Sequence, residues 1–316
     1  MDLCKTRLGD VPVAGPIEMY ANGSVHICSP SGACVLETPV GKLVPQYSTD
    51  DLRRKTVQAL SFYESGLPKS VPLEEKTLVK TPIGDIVVEL VTFHPGGGIS
   101  RVFPLNGKLS GYWSQEDEAG LADPIELMTP IGLIRTKIIG MSFYENEALR
   151  SVTLWPGEIV EVPTPVGIVK SRVGFSFSPE GRLESVEPGV PSSIKTFAGE
   201  ILAYDSDAVG IHADHNSLVF GEDGSVTHIA TTLTSIIATD KDGKKSVFTP
   251  LHRESICGEG ETEVVPMHID FTDEYVKITQ NPDLPGVSVP VAGHSFMSRP
   301  CLPGLASPLG IIPCSV

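Results

Sequence analysis

An apolar run long enough to cross a bilayer, about 18 residues, is missing from this chain of 316 residues, which argues against a helical membrane span. The opening segment, Met1 to Arg7, carries no apolar stretch of secretory-signal length, so the expectation is a cytoplasmic protein. Basic residues are scarce: 24 Lys and Arg stand against 39 Asp and Glu, a formal charge of −15. A field of that sign repels phosphate backbones and anionic headgroups, so nucleic acid is not an expected partner. Cysteine is thin as well. The six thiols (Cys4, Cys28, Cys34, Cys257, Cys301, Cys314) are too sparse for a disulfide framework in a chain this long, and a reducing compartment would keep them as buried small hydrophobes. Neither Cys28 with Cys34 nor Cys301 with Cys314 has the close spacing of zinc knuckles or iron–sulfur loops.

Catalytic signatures are missing too. The chain has no Gly-x-Ser-x-Gly elbow, no Gly-rich phosphate loop ending in Lys-Ser/Thr and no His-Glu-x-x-His. Paired carboxylates occur all over an acidic surface and so identify nothing. The balance points away from an enzyme, and no cofactor is expected.

What is abundant is punctuation, with 31 Gly and 27 Pro at regularly recurring places. One phrase sets an aromatic or Met anchor, Gly four residues on, an aliphatic at six and often another apolar residue at nine. It begins at Met19, Phe62, Phe93, Phe103, Phe143, Phe177 and Phe220. A second phrase, Thr-Pro-aliphatic-Gly, alternates with it at Thr38 to Gly41, Thr81 to Gly84, Thr129 to Gly132 and Thr164 to Gly167, with a worn copy at Thr196 to Gly199. Pro second and Gly fourth suit a type I turn, so this phrase is structural punctuation.

Between the phrases the residues alternate as strands. Val57 to Tyr63, Lys69 to Leu73, Thr77 to Val79 and Asp85 to Leu90 read as four short strands, with Glu64-Ser65-Gly66, Glu74-Glu75-Lys76 and the Thr-Pro phrase as the turns. The unit around Phe143 repeats this, with Trp155-Pro156-Gly157-Glu158 as its second turn. The fold class is therefore all-β: tandem β-meander or hairpin repeats forming an extended or wound antiparallel sheet, with a six-bladed β-propeller as the alternative. The repeats fill residues 1–250. Residues 251–316 form a divergent C-terminal cap with two strands (Thr262 to Asp270, Glu274 to Thr279) and a Pro/Gly-rich tail. Two connectors, Ser48 to Thr56 and Ser114 to Pro124, each open with an N-cap residue ahead of acidic residues and could support a helical turn or two.

Phe62-Tyr-Glu-Ser-Gly66-Leu, Phe103-Pro-Leu-Asn-Gly107-Lys-Leu and Phe143-Tyr-Glu-Asn-Glu147-Ala-Leu resemble MORN-type repeats, especially the bacterial variants, over about residues 15–235. That resemblance implies an elongated or curved sheet of successive hairpins used as a scaffold or binding surface.

Two groups of residues are candidate sites. Tyr20, Tyr63 and Tyr144 follow their anchors directly and so face away from the anchor row. With Trp113 and Trp155 they could form a recognition surface for a protein partner. The second group is the segment Asp205 to Asn216, where His212, Asp214 and His215 are ligand types close together. On a strand, His212 and Asp214 face one side and His215 the other, so a divalent ion there would need donors such as His228, His268 or Asp270. The competing reading is a solvated polar turn. The expected function is a β-repeat scaffold or protein-binding module, the alternative a metal-binding protein or metal-dependent enzyme using the Asp205 to His215 cluster. A homo-oligomer paired through open sheet edges is a further option.

Overall fold

The computed structural model describes residues 2–50, 52–206, 208, 216–254 and 262–301. It is nearly all β, a large antiparallel sheet of hairpins with no closed barrel among the described residues. The chain divides into two compact units, Met1–Glu158 with Phe177–Arg182, and Ile159–Ser176 with Leu183–Val316. Position 250/251, where the sequence suggests a boundary, lies inside the second unit.

In the first unit the sheet order follows the chain order: Glu18–Met19, Val25–Cys28, Leu60–Phe62, Pro68–Thr81, Gly84–Phe93, Ile99–Phe103, Ile138–Phe143 and Leu149–Leu154. One uninterrupted run of eight strands is incompatible with four-stranded propeller blades, so the propeller alternative is corrected. In the second unit the order is Gly167–Phe177, Leu183–Pro188, Leu218–Phe220, Val226–Thr231, Met267–Phe271, Tyr275–Thr279 and Val287–Pro290. The strand that opens the first order, Glu18–Met19, has two residues, and the one that closes the second, Val287–Pro290, has four. Short edges give another chain few backbone groups to pair with.

The anchors build the core. Phe62, Phe93, Phe143, Phe177 and Phe220 are buried, as are Val71, Val102 and Val152 at the later apolar positions of the phrase. Met19, on the outermost strand, is 53% exposed and stands outside this core. Alternation on each strand places one face inward, and burying each Phe contributes about 1.5–3 kcal/mol. Cys4 and Cys28 are buried with the core, and burial pushes the Cys28 thiol up to about 12, which makes it inert.

The anchor turns need a positive φ. Gly23, Gly66, Gly97, Gly181 and Gly224 adopt φ between 81° and 91°, and Glu147 stands in the same place at φ 69°. A side chain there is strained. We expect Glu147→Gly to stabilise the protein by about 1 kcal/mol, read as a higher urea midpoint with an unchanged slope. No gain would mean that the Glu147 side chain makes compensating contacts.

The copy beginning at Phe103 is not a hairpin, which corrects the sequence reading. Gly107 has no positive φ, and its N–H donates to Glu118 Oε1 at 3.0 Å. A Cβ on Gly107 would stand 2.3 Å from the Glu118 carboxylate, so this glycine serves close approach. Glu74-Glu75-Lys76 is not a turn either. Pro68–Thr81 continues as one strand whose pairing with Gly84–Phe93 shifts between Pro72 and Thr77. Residues 73–77 have no Gly or Pro to reverse the chain, and a bulge absorbs the irregularity. Of the two connectors, Ser114 does cap a helix, Gln115–Ala119, with a full capping box. In the other, Asp50 accepts from the N–H groups of Leu52, Arg53 and Arg54, a side-chain-closed turn where the sequence could support one or two helical turns.

The Thr-Pro phrases close two-residue hairpin arms; those at Thr38, Thr129 and Thr196 are separate two-stranded sheets, while those at Thr81 and Thr164 extend strands of the large sheet. In each, the Thr hydroxyl donates to the Gly carbonyl, from Thr38 to Gly41 at 2.7 Å, Thr81 to Gly84 at 2.6 Å, Thr129 to Gly132 at 2.7 Å, Thr164 to Gly167 at 2.6 Å and Thr196 to Gly199 at 2.9 Å. Thr6-Arg7-Leu8-Gly9 is a further copy, with the same bond at 2.6 Å. Lacking Pro, it escaped the sequence pattern. The two phrases also meet in space. A Cβ on Gly97 would lie 3.2 Å from Pro39, on Gly181 3.6 Å from Pro130, on Gly224 3.3 Å from Pro165 and on Gly66 3.3 Å from Arg7, the residue in the proline place of the extra copy. The tip of one phrase therefore rests on the bare turn of another, which gives the anchor Gly a packing role besides its φ.

Candidate functional site

The tyrosine row is tied into the repeat. Tyr20 donates its hydroxyl to the Phe62 carbonyl at 3.0 Å, Tyr63 to Phe93 at 2.8 Å and Tyr144 to Phe177 at 2.9 Å. At the Phe93 copy, His94 takes the same place, with its Nε2 2.9 Å from the Phe143 carbonyl. At these four copies the residue after the anchor bonds to the carbonyl of a later anchor. Lys69 lies 5.9 Å from the Tyr63 ring and Arg150 5.6 Å from the Tyr144 ring. The three tyrosines are half-buried. We expect Tyr63→Phe and Tyr144→Phe each to cost about 1 kcal/mol in urea unfolding. Unchanged midpoints would show that these bonds add nothing over water.

The two tryptophans are also half-buried. Trp113 donates from Nε1 to Glu118 Oε2 at 2.6 Å, within a network centred on Arg53. Trp155 occupies a turn, its carbonyl accepting from Glu158 N at 3.0 Å.

A more exposed surface lies on the arms of the first unit. In the arm formed by the distal parts of Pro68–Thr81 and Gly84–Phe93, Leu78 and Val87 are cross-strand partners, 63% and 43% exposed. In the arm Ile125–Thr129/Gly132–Thr136, Met128 and Leu133 are partners, 61% and 63% exposed. Strand Ile125–Thr129 contacts Gly84–Phe93. At the register place of Met128 and Leu133, the arm Leu36–Thr38/Gly41–Leu43 carries an ion pair, Glu37 with Lys42 at 3.2 Å. The inward residues of these arms, Val79, Ile86, Val88 and Leu127, are buried, so the exposed pairs form a second apolar face. Alternation alone could have found it, because Thr77-Leu78-Val79 and Leu127-Met128 put apolar residues on both faces.

The second unit holds a polar cluster. Val173 has φ 59°, a strained value for a β-branched residue, and the neighbouring Ser171 hydroxyl donates to the Gly174 carbonyl at 2.9 Å. Beside this kink, Arg172 donates to the carbonyls of Asp205 and Ser206, and its guanidinium lies 5.1 Å from the Tyr204 ring centroid. Glu187, 1% exposed, accepts from Ser217 N at 2.7 Å and Ser217 Oγ at 3.0 Å. Burial pushes its carboxyl up to about 7, with the charge of Asp205 adding to the rise while Ser217 and Arg172 oppose it. A carboxyl poised there can give or take a proton at neutral pH.

Of the proposed metal ligands, His212, Asp214 and His215 lie outside the described residues. His228 and His268 are brought together on neighbouring strands. His228 Nδ1 is 2.6 Å from Asp270 Oδ1, and His228 Nε2 is 3.4 Å from His268 Nδ1. Burial, then the charge of His228, holds His268 below the usual histidine range, while Asp205 and Asp270 act the other way. The hydrogen bond to His228 holds the Asp270 carboxyl below its ordinary value. No group of three or more His, Cys, Asp or Glu among the described residues is arranged to hold a metal ion. No helix among them is long and apolar enough to cross a membrane.

No family model, no curated protein and no solved structure matches this chain.

Proposed function

We propose that this chain is a cytoplasmic β-repeat scaffold that binds a protein partner through the outward faces of two arms in its first unit. The observation that carries the reading is the exposure of two cross-strand apolar pairs, Leu78 with Val87 and Met128 with Leu133, where another arm carries the Glu37–Lys42 ion pair. Exposed apolar pairs on contacting arms are expensive to leave in water and effective to cover. The row of internal tyrosine bonds supports the scaffold part of the reading, because it ties successive repeats into a fixed surface. The resemblance to MORN-type repeats supports it as well. Tyr20, Tyr63, Tyr144 and Trp113 have their side-chain polar atoms bonded inside the protein, which favours the arm faces as the contact surface.

The test is a Leu78→Glu, Met128→Glu double variant compared with the parent protein. Surface substitutions of this kind alter stability by about 0.5 kcal/mol or less each. Both proteins, immobilised and exposed to a lysate of the source cells, are compared by quantitative mass spectrometry. The reading expects a protein enriched on the parent, lost on the variant, and shown to bind the purified parent directly. Failure to find one removes the arm faces as the functional surface.

A further inference from the structure

We propose that His228 and His268 bind one divalent transition-metal ion of the zinc type, with Asp270 orienting His228 from behind.

The placement follows from register. Val226–Thr231 and Met267–Phe271 are antiparallel neighbours in which His228 pairs with Asp270 and Ala230 with His268. Ile229, Met267 and Ile269 are buried, so alternation puts His228, His268 and Asp270 together on the opposite face. There His228 is 22% exposed and Asp270 41% exposed at the side chain. An ion could reach them from solvent.

The geometry fits a shared ion better than a shared proton. His228 Nε2 and His268 Nδ1 are 3.4 Å apart, longer than the roughly 2.7–3.2 Å of an ordinary N–H···O bond. Two imidazole nitrogens held about 2.0–2.1 Å from one ion at a tetrahedral angle stand roughly 3.4 Å apart. The rings are 5.4 Å between centroids and inclined by 31°, so neither blocks the other's nitrogen.

Asp270 completes the argument. Its carboxylate is an acceptor and lies 2.6 Å from His228 Nδ1, so in the neutral ring that nitrogen carries the proton and the Nε2 lone pair faces His268. A carboxylate behind a ligating histidine fixes the tautomer and raises ligand basicity. Asp205 acts electrostatically on His268 and adds a negative field favourable to a cation. With two protein nitrogens, the remaining coordination positions fall to water or an incoming donor, so moderate affinity is expected.

The experiment uses the full chain, stripped with chelator and titrated with zinc chloride alone. One equivalent should bind, and His228→Gln and His268→Gln should each weaken binding at least tenfold. Asp270→Asn should weaken it by about ten- to a hundredfold while both ligands remain. Diethyl pyrocarbonate modification of the parent protein, mapped by peptide mass spectrometry with and without zinc, needs no variant to fold. Zinc should protect His228 and His268. Absence of protection there, or His228→Gln and His268→Gln titrating like the parent, would overturn the proposal. Loss of partner binding at the arms leaves this site untouched, so the two readings fail separately.

Discussion

Replacing Arg53 by Ala should destabilise the first unit by about 3–5 kcal/mol, the cost of leaving buried charges unpaired. Arg53 bridges two glutamates from distant parts of the chain: its Nε and Nη2 donate to Glu118 at 2.7 and 2.8 Å, and its Nη1 and Nη2 to Glu89 at 3.0 and 2.5 Å. Both carboxylates are about 5% exposed at the side chain. Further donors reach both carboxylates, Trp113 and Gly107 for Glu118 and the Asn106 N–H at 2.8 Å for Glu89. Without the guanidinium, two like charges would remain in a site of low polarity, and each would have to take up a proton or pull in water. The Glu118 carboxyl lies below its ordinary value because hydrogen bonds from Arg53 and Trp113 outweigh the opposing effect of burial. A carboxyl lowered on folding contributes stability above its unfolded pKa and loses it as pH falls through the folded one. The difference between parent and Arg53→Ala should therefore narrow in acid. Thermal unfolding at pH 7 and at pH 3 measures this, with a drop of roughly 6–20 °C expected at pH 7. A triple variant with Arg53→Met, Glu89→Gln and Glu118→Gln should recover most of the loss, since apolar or neutral replacement of a whole buried network is often close to neutral. A small effect of Arg53→Ala, below about 1 kcal/mol, would place the network in the class of solvated surface pairs.

Glu187→Gln should act in the opposite direction and stabilise the protein as pH rises. Burial raises the Glu187 carboxyl from its ordinary 4.5 to about 7, so the folded chain holds this proton where the unfolded chain has released it. Its contribution is fully present below pH 4.5 and is lost as pH rises through about 7. The gain from Gln should be close to zero at pH 4 and reach about 3 kcal/mol near pH 8. Gln keeps a carbonyl acceptor for one Ser217 bond and gives up a buried charge. Urea unfolding across that pH range reads the difference between parent and variant directly. A pH-independent difference would show that Glu187 stays ionised in the folded protein.

Much of the fold was legible because turn chemistry and alternation are local. The anchor glycines require a positive φ, the Thr-Pro phrases close two-residue hairpins, and the buried aromatics recur where the phrase places them. Misreadings came where tertiary contacts overrode the local signal. Phe103 to Gly107 matches the anchor phrase by composition, yet Gly107 is small because Glu118 lies against it. Glu74-Glu75-Lys76 looks like a polar turn, but Glu74 is occupied by Tyr47 and Ser48, whose N–H groups donate to it at 2.8 and 3.1 Å. Thr6 to Gly9 lacks the proline that marks the other arms, so only its hydrogen bond reveals it.

By itself, then, the sequence determined that this chain is an all-β repeat with turns at given residues, because positive φ, proline rings and two-residue periodicity act over a few bonds. The tertiary structure alone decided which residues meet. It set Arg53 between Glu89 and Glu118, turned Tyr20, Tyr63 and Tyr144 each onto a later anchor, and put His228 opposite Asp270 beside His268. Those pairings depend on strand register and on contacts between residues tens of positions apart, which no local pattern encodes.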